Sequence, residues 1–327
     1  MTALAGSRGA PGWLVRMGQG MLALLVGAVL CAAPVTSLVA LGWLTRRMAW
    51  RVGQRFDLIA ETPGWILGAR GTGRWESALG GLSANISNGL RSLTALLAWS
   101  LPFSALWLGA WWAGWENSFN KGYEQAFAGP MVFVAGLLIA AVLLPVIPFM
   151  LAHMAAEGRL AAAFQLRRIR GVMAQAGWRV AALAVLTFVA GLPFIGMHGF
   201  ATLAPGAFPQ VAEMTANQMV TLRGWLDFGT AAYAFAALWV LRGMAANIYA
   251  TAAPRAAGLR PGLWDGAQAA EVAQPARARS RALTTLWVGM AMAAGAGIGA
   301  QMVVAQFINH AWWRWVFHPF FALPWAG

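Results

Sequence analysis

Positive charge in this chain is sorted along the sequence, and that sorting constrains the fold more than any single motif. Six long apolar stretches, 21–44, 93–115, 131–153, 179–203, 225–250 and 283–308, alternate with more polar gaps. Seventeen of the 22 arginines fall in three of the gaps. Gap 45–92 holds Arg46, Arg47, Arg51, Arg55, Arg70, Arg74 and Arg91. Gap 154–179 holds Arg159, Arg167, Arg168, Arg170 and Arg179, and gap 251–282 holds Arg255, Arg260, Arg277, Arg279 and Arg281. The intervening segments carry only Arg8, Arg16, Lys121, Arg223 and Arg314, while Arg242 lies inside an apolar stretch. Basic residues are retained on the cytoplasmic side of a membrane, and acidic ones contribute little to orientation.

The apolar stretches are each about 20 residues or longer, enough to cross a hydrocarbon core of roughly 30 Å. Charged residues make up 10% of the chain, against about a quarter in soluble domains. The expected fold is therefore all-α, an integral bundle of six transmembrane helices with both termini outside. Residues 1–20 form a short external segment, 21–308 the bundle, and 309–327 an aromatic external tail. The compartment this implies is a bacterial inner membrane. Arg8 and Arg16 before Met21 imitate a signal peptide, but the apolar run continues to Leu44, too long for one.

Tryptophan supports the same orientation. Trp107, Trp111, Trp112, Trp115, Trp225, Trp312, Trp313 and Trp315 fall at the expected outer interface, and Trp43, Trp50, Trp178 and Trp287 at the inner one. Amphipathic rings settle at headgroup depth. The net charge of +13 is thus a property of an inner face beside an anionic leaflet rather than of a nucleic-acid binder. Cys31 is the only cysteine, which excludes an internal disulfide and a cysteine-based zinc site.

Four groups of residues invite a functional reading. Arg47, Arg51 and Arg55 recur every four residues beside a stripe of Leu44, Met48, Val52 and Phe56. This predicts an amphipathic helix at the inner leaflet that contacts anionic lipid, or a plain stop-transfer anchor. Arg242 either faces protein, with Asn247 or a carbonyl as partner, or snorkels to the inner interface. Ala291, Gly295 and Gly299 place small residues on one helix face, suited to close packing within the bundle or between two copies. His198 and His310 fall at matched depth near the outer interface, where two histidines can ligate a haem or a chlorophyll. Pro34, Pro102, Pro145, Pro148 and Pro193 interrupt the first four stretches. Segment 159–173 is basic without one clean apolar face, and 253–282, rich in Ala, Pro, Gly and Arg, reads as a flexible linker.

Two resemblances add to this. The run Ala311 to Phe321, with Trp312, Trp313, Trp315, His318 and Pro319, loosely resembles the end of bacterial light-harvesting β polypeptides. That resemblance covers under twenty residues and implies His310 as a pigment ligand. The six-span plan as a whole resembles bacterial polytopic inner-membrane proteins of unknown function, most of all over Leu151 to Phe194. No nucleophile elbow, zinc-binding histidine pair or phosphate loop is present. The expected function is non-enzymatic, a scaffold or accessory subunit without a cofactor, partnered by the lipid bilayer and by a membrane protein or a second copy. A small-solute or lipid transporter is the alternative, and a haem or pigment carrier the third.

Overall fold

Proline sets the first break in the bundle. Pro34 has no N–H to offer the carbonyl four residues earlier, so the chain stops one helix, α1 (Trp13–Cys31), and starts another, α2 (Pro34–Arg55). The orphaned Leu30 carbonyl accepts instead from the Thr36 hydroxyl at 2.7 Å. In this computed structural model, which describes residues 13–58, 63–65, 74–110, 128–276 and 289, every extended element is helical. The others are α3 (Arg74–Ala110), α4 (Ala128–Leu143), α5 (Ile147–Glu157), α6 (Leu166–Ala176), α7 (Trp178–Ala207) and α8 (Ala216–Leu259). The all-α class holds.

Helix α8 is the axis of the bundle. A capping box opens it: Thr215 Oγ1 accepts from the Gln218 backbone N–H, and Gln218 Oε1 accepts from the Thr215 N–H. Its 44 residues span ~66 Å at 1.5 Å each, and α1, α2, α5, α6 and α7 all pack against it. Two apolar clusters run along it. One gathers Cys31, Trp43, Leu44, Phe235 and Leu238; the other joins Met48, Val52 and Phe56 to Met150, Ile169, Tyr249 and Trp264.

The spans differ from expectation in number and continuity. Among the described residues one helix, α8, is long and apolar enough to cross a membrane, or up to three if each bent pair forms one span. The fifth expected span, 225–250, is the middle of α8. The first, 21–44, is not continuous, because Pro34 divides it. The third, 131–153, bends by 43° between α4 and α5, where Pro145 and Pro148 remove two backbone donors. The fourth lies within α7, and α3 carries the second as far as Ala110. The sixth lies outside the described residues.

The basic segment 159–173 and the described part of the expected linker 253–282 are both folded. Segment 159–173 shows no single apolar face because a helix boundary at Gln165 cuts it. Once α6 starts at Leu166, Ile169, Val172, Met173 and Ala176 share one buried face. Gly158 and Gly177, with φ of 65° and 63°, let the chain reverse on either side, a conformation disfavoured for residues with a Cβ. The expected linker at 253–282 is held against the bundle as far as Gln274. Trp264 is 1% exposed, and Gln274 N–H donates to the Pro254 carbonyl at 2.9 Å.

Helices α2 and α3 meet backbone to backbone. A Cβ at Gly42 would fall on the Asn85 carbonyl oxygen, and one at Gly89 on the Leu38 carbonyl oxygen. Gly42→Ala is therefore expected to cost about 1–3 kcal/mol, read as a lower midpoint of thermal unfolding in detergent. An unchanged midpoint would mean that the two helices separate freely. The small-residue face at Ala291, Gly295 and Gly299 lies outside the described residues.

Candidate functional site

The apolar stripe of α2 is covered by protein. Leu44, Met48, Val52 and Phe56 are all buried in the two protein clusters, a correction to the surface helix expected from their spacing. The amphipathic pattern was real, but protein rather than lipid covers its apolar side. The other side of the same helix faces a cavity of about 770 Å³ lined by Arg47, Trp50, Arg51, Gln54, Arg55, Asp57, Leu58 and Asn247. The α2 positions follow helical spacing of three and four, so they form one polar face. The volume falls in the range of roughly 300–1,000 Å³ usual for small-molecule sites.

The arginines of the basic gaps divide into two sets. Some are used by the fold itself. Arg46 donates to Asn85 Oδ1 at 2.8 Å and to the Gly64 carbonyl at 3.2 Å. Arg91 donates to the Gly158 carbonyl at 2.8 Å, and Arg179 to Thr251 Oγ1 at 3.2 Å. Arg168 ties α6 to the turn beyond α8, donating from Nε to the Leu263 carbonyl at 2.7 Å while it lies 5.5 Å over the Trp264 ring. By contrast, Arg47, Arg51 and Arg55 make no hydrogen bond or ion pair with another described residue, and the Nε of Arg47 is buried without a partner.

Aromatic rings hold Arg47 in place. Its guanidinium lies 5.2 Å from the Trp43 ring, 5.5 Å from Trp50 and 4.8 Å from Trp239. Trp43 is itself stacked on Trp65 at 4.3 Å and donates to the Pro63 carbonyl at 3.1 Å. Burial and the neighbouring Arg51 charge lower the Arg47 guanidinium to about 10, so it stays cationic at neutral pH. Burial also lowers Arg46 and Arg51. Gly243 of α8 makes room for Arg51, since a Cβ there would overlap its guanidinium. Such a site can bind anions.

Arg242 and Asn247 are not brought together. Five residues at about 100° each put them on well-separated helix faces. Asn247 faces the cavity, whereas Arg242 is 4% exposed at the junction of the two apolar clusters. Among the described residues its Nε and both terminal nitrogens have no hydrogen-bond partner, so it neither reaches a surface nor pairs with Asn247 or a described carbonyl. Arg242 thus faces protein, as one reading expected, but without the partner expected for it, and the snorkelling alternative does not hold.

Sequence reasoning passed over Trp50, Gln54, Asp57 and Leu58 as cavity residues, although their spacing along α2 was available. It also missed His153. The ring nitrogens of His153 lie 2.7 Å from the Tyr249 hydroxyl and 2.9 Å from Gln165 Oε1. Oε1 can only accept and also takes a bond from Arg168 at 3.1 Å, so Nε2 donates and Nδ1 of a neutral ring accepts from Tyr249. No local signal marks this trio, because its members come from α5, α8 and the residue before α6.

For cofactors the described residues offer little. No group of three or more His, Cys, Asp and Glu among them is arranged to hold a metal ion. His198 belongs to α7, but its side chain, like all of His310, lies outside the described residues. No family model, no curated protein and no solved structure matches the chain.

Proposed function

We propose that this chain is a non-enzymatic, multi-pass protein of the bacterial inner membrane with six spans and both ends outside. It serves as a scaffold or accessory subunit, presenting an arginine-rich inner face to anionic lipid and to a membrane-protein partner or a second copy of itself. One observation carries the reading. Arg46, Arg91, Arg168 and Arg179 are consumed in building the fold, whereas Arg47, Arg51 and Arg55 are left to meet something else. A basic segment needed only to set topology requires no such division.

Exposed Arg167 and Arg170 on α6 offer a separate contact for a partner. Purification of the intact chain in mild detergent is expected to retain a stoichiometric membrane partner or a dimer, and Arg167→Glu with Arg170→Glu to release it. A stable monomer that binds nothing, in membranes as in detergent, would defeat the scaffold reading. A Soret or near-infrared band in the same sample would select the haem or pigment alternative through His198 and His310.

A small-solute or lipid transporter is the second reading, favoured by Arg242. An ionisable side chain buried inside a membrane bundle commonly marks a solute or ion path, and Arg242 is buried.

A further inference from the structure

The cavity beside α2 brings three guanidinium groups together with one carboxylate, Asp57. None of the four is hydrogen-bonded or ion-paired to another described residue. Like charges lining one cavity repel, and burial first and the Arg51 charge second lower the Arg47 guanidinium. An anion removes the repulsion, and guanidinium forks match phosphate oxygens in pairs. The three cations exceed the one carboxylate by two charges, which suits a phosphate and leaves Asp57 as an acceptor for a second group of the ligand. The carboxylate favours a ligand that also carries a hydroxyl or ammonium donor. Trp50 and Leu58 on the same wall suit the carbon frame of such a molecule.

We propose that this cavity binds a phosphate ester whose alcohol bears a hydrogen-bond donor. Arg47, Arg51 and Arg55 hold the phosphate, Asn247 adds one amide, and Asp57 takes the donor. The inference rests on the reading that the inner face meets anionic lipid, and it narrows that reading to one headgroup chemistry. The headgroup of a glycerol-bearing phospholipid and a free glycerol phosphate share this chemistry.

The test uses the full chain in phosphatidylcholine nanodiscs, titrated calorimetrically with dihexanoyl-phosphatidylglycerol, glycerol 3-phosphate and inorganic phosphate. A glycerol-bearing probe is expected to bind about tenfold or more tightly than inorganic phosphate, the scale of one hydrogen bond to a charged group. Binding by the lipid alone assigns a membrane source, and binding by glycerol 3-phosphate a soluble one. Arg51→Gln and the exposed Arg55→Gln should each weaken binding about tenfold. Gly243→Ala, which displaces Arg51 and keeps its charge, should weaken it too. Asp57→Asn should erase the preference over inorganic phosphate. The proposal fails if no probe binds the helical, monodisperse protein, if inorganic phosphate binds as tightly, or if Arg55→Gln and Gly243→Ala both bind as the parent does. The Arg167 and Arg170 substitutions leave this binding unchanged, so the scaffold reading and the phosphate site fail separately.

Discussion

Replacing Trp264 by alanine is expected to cost the folded chain about 3–5 kcal/mol, the usual penalty for emptying a fully buried indole site. Trp264 lies beyond the end of α8, in a stretch whose composition promises a linker, yet it is among the largest fully buried side chains. Its ring meets His153 edge-on at 5.6 Å and lies beneath the Arg168 guanidinium. Removing it leaves Arg168 without its aromatic face and opens the packing between α5, α6 and the turn at Pro261–Leu263. The loss should be localised. Hydrogen exchange is expected to speed up over 160–176 and 260–274, with the middle of α8 unchanged. Uniform exchange across 253–276 in the parent protein would instead mean that this stretch is the linker its composition resembles. Trp264→Phe, which retains a ring, should recover part of the difference.

Arg242→Met is expected to act in the opposite direction, stabilising the protein by about 1–4 kcal/mol. Burying a charge costs several kcal/mol unless it is paired, and all three guanidinium nitrogens of Arg242 lack a partner among the described residues. Methionine fills similar space without that cost. Thermal unfolding of the purified protein in detergent measures the change. A marked destabilisation would show that the guanidinium has found a bound anion or water that sustains it. Flux through reconstituted vesicles separates the two functional readings. If an anionic solute crosses with the parent protein and Arg242→Met abolishes its passage, the transporter reading replaces the scaffold. Flux that Arg242→Met leaves unchanged removes the reason for invoking Arg242 in transport.

These two residues show where sequence reading reaches its limit. Arg242 was conspicuous because an arginine inside an apolar run is rare, but its surroundings depend on which helices pack around α8. Asn247, the nearest polar residue in sequence, faces another way. Trp264 was inconspicuous because Pro, Gly and Ala around it match a linker composition, and the contacts that order it come from α5 and α6, about a hundred residues earlier. The apolar stripe at Leu44, Met48, Val52 and Phe56 falls between these cases. Its periodicity predicted both the helix and its buried face, and mistook only what buries that face.

From the residues alone came the helical class, the place of the fifth span within α8, the break at Pro34 and the common face of Arg47, Arg51 and Arg55. These follow from local rules: hydropathy, the 3.6-residue period and the missing proline N–H. Only the tertiary structure decided which arginines are spent on main-chain carbonyls and which line a cavity, that Asn247 and Asp57 share that cavity, and that segments 159–176 and 260–274 fold back on the bundle. Hydrogen-bond partners and burial are settled by groups distant in sequence, and a period along one helix carries no record of what lies opposite it.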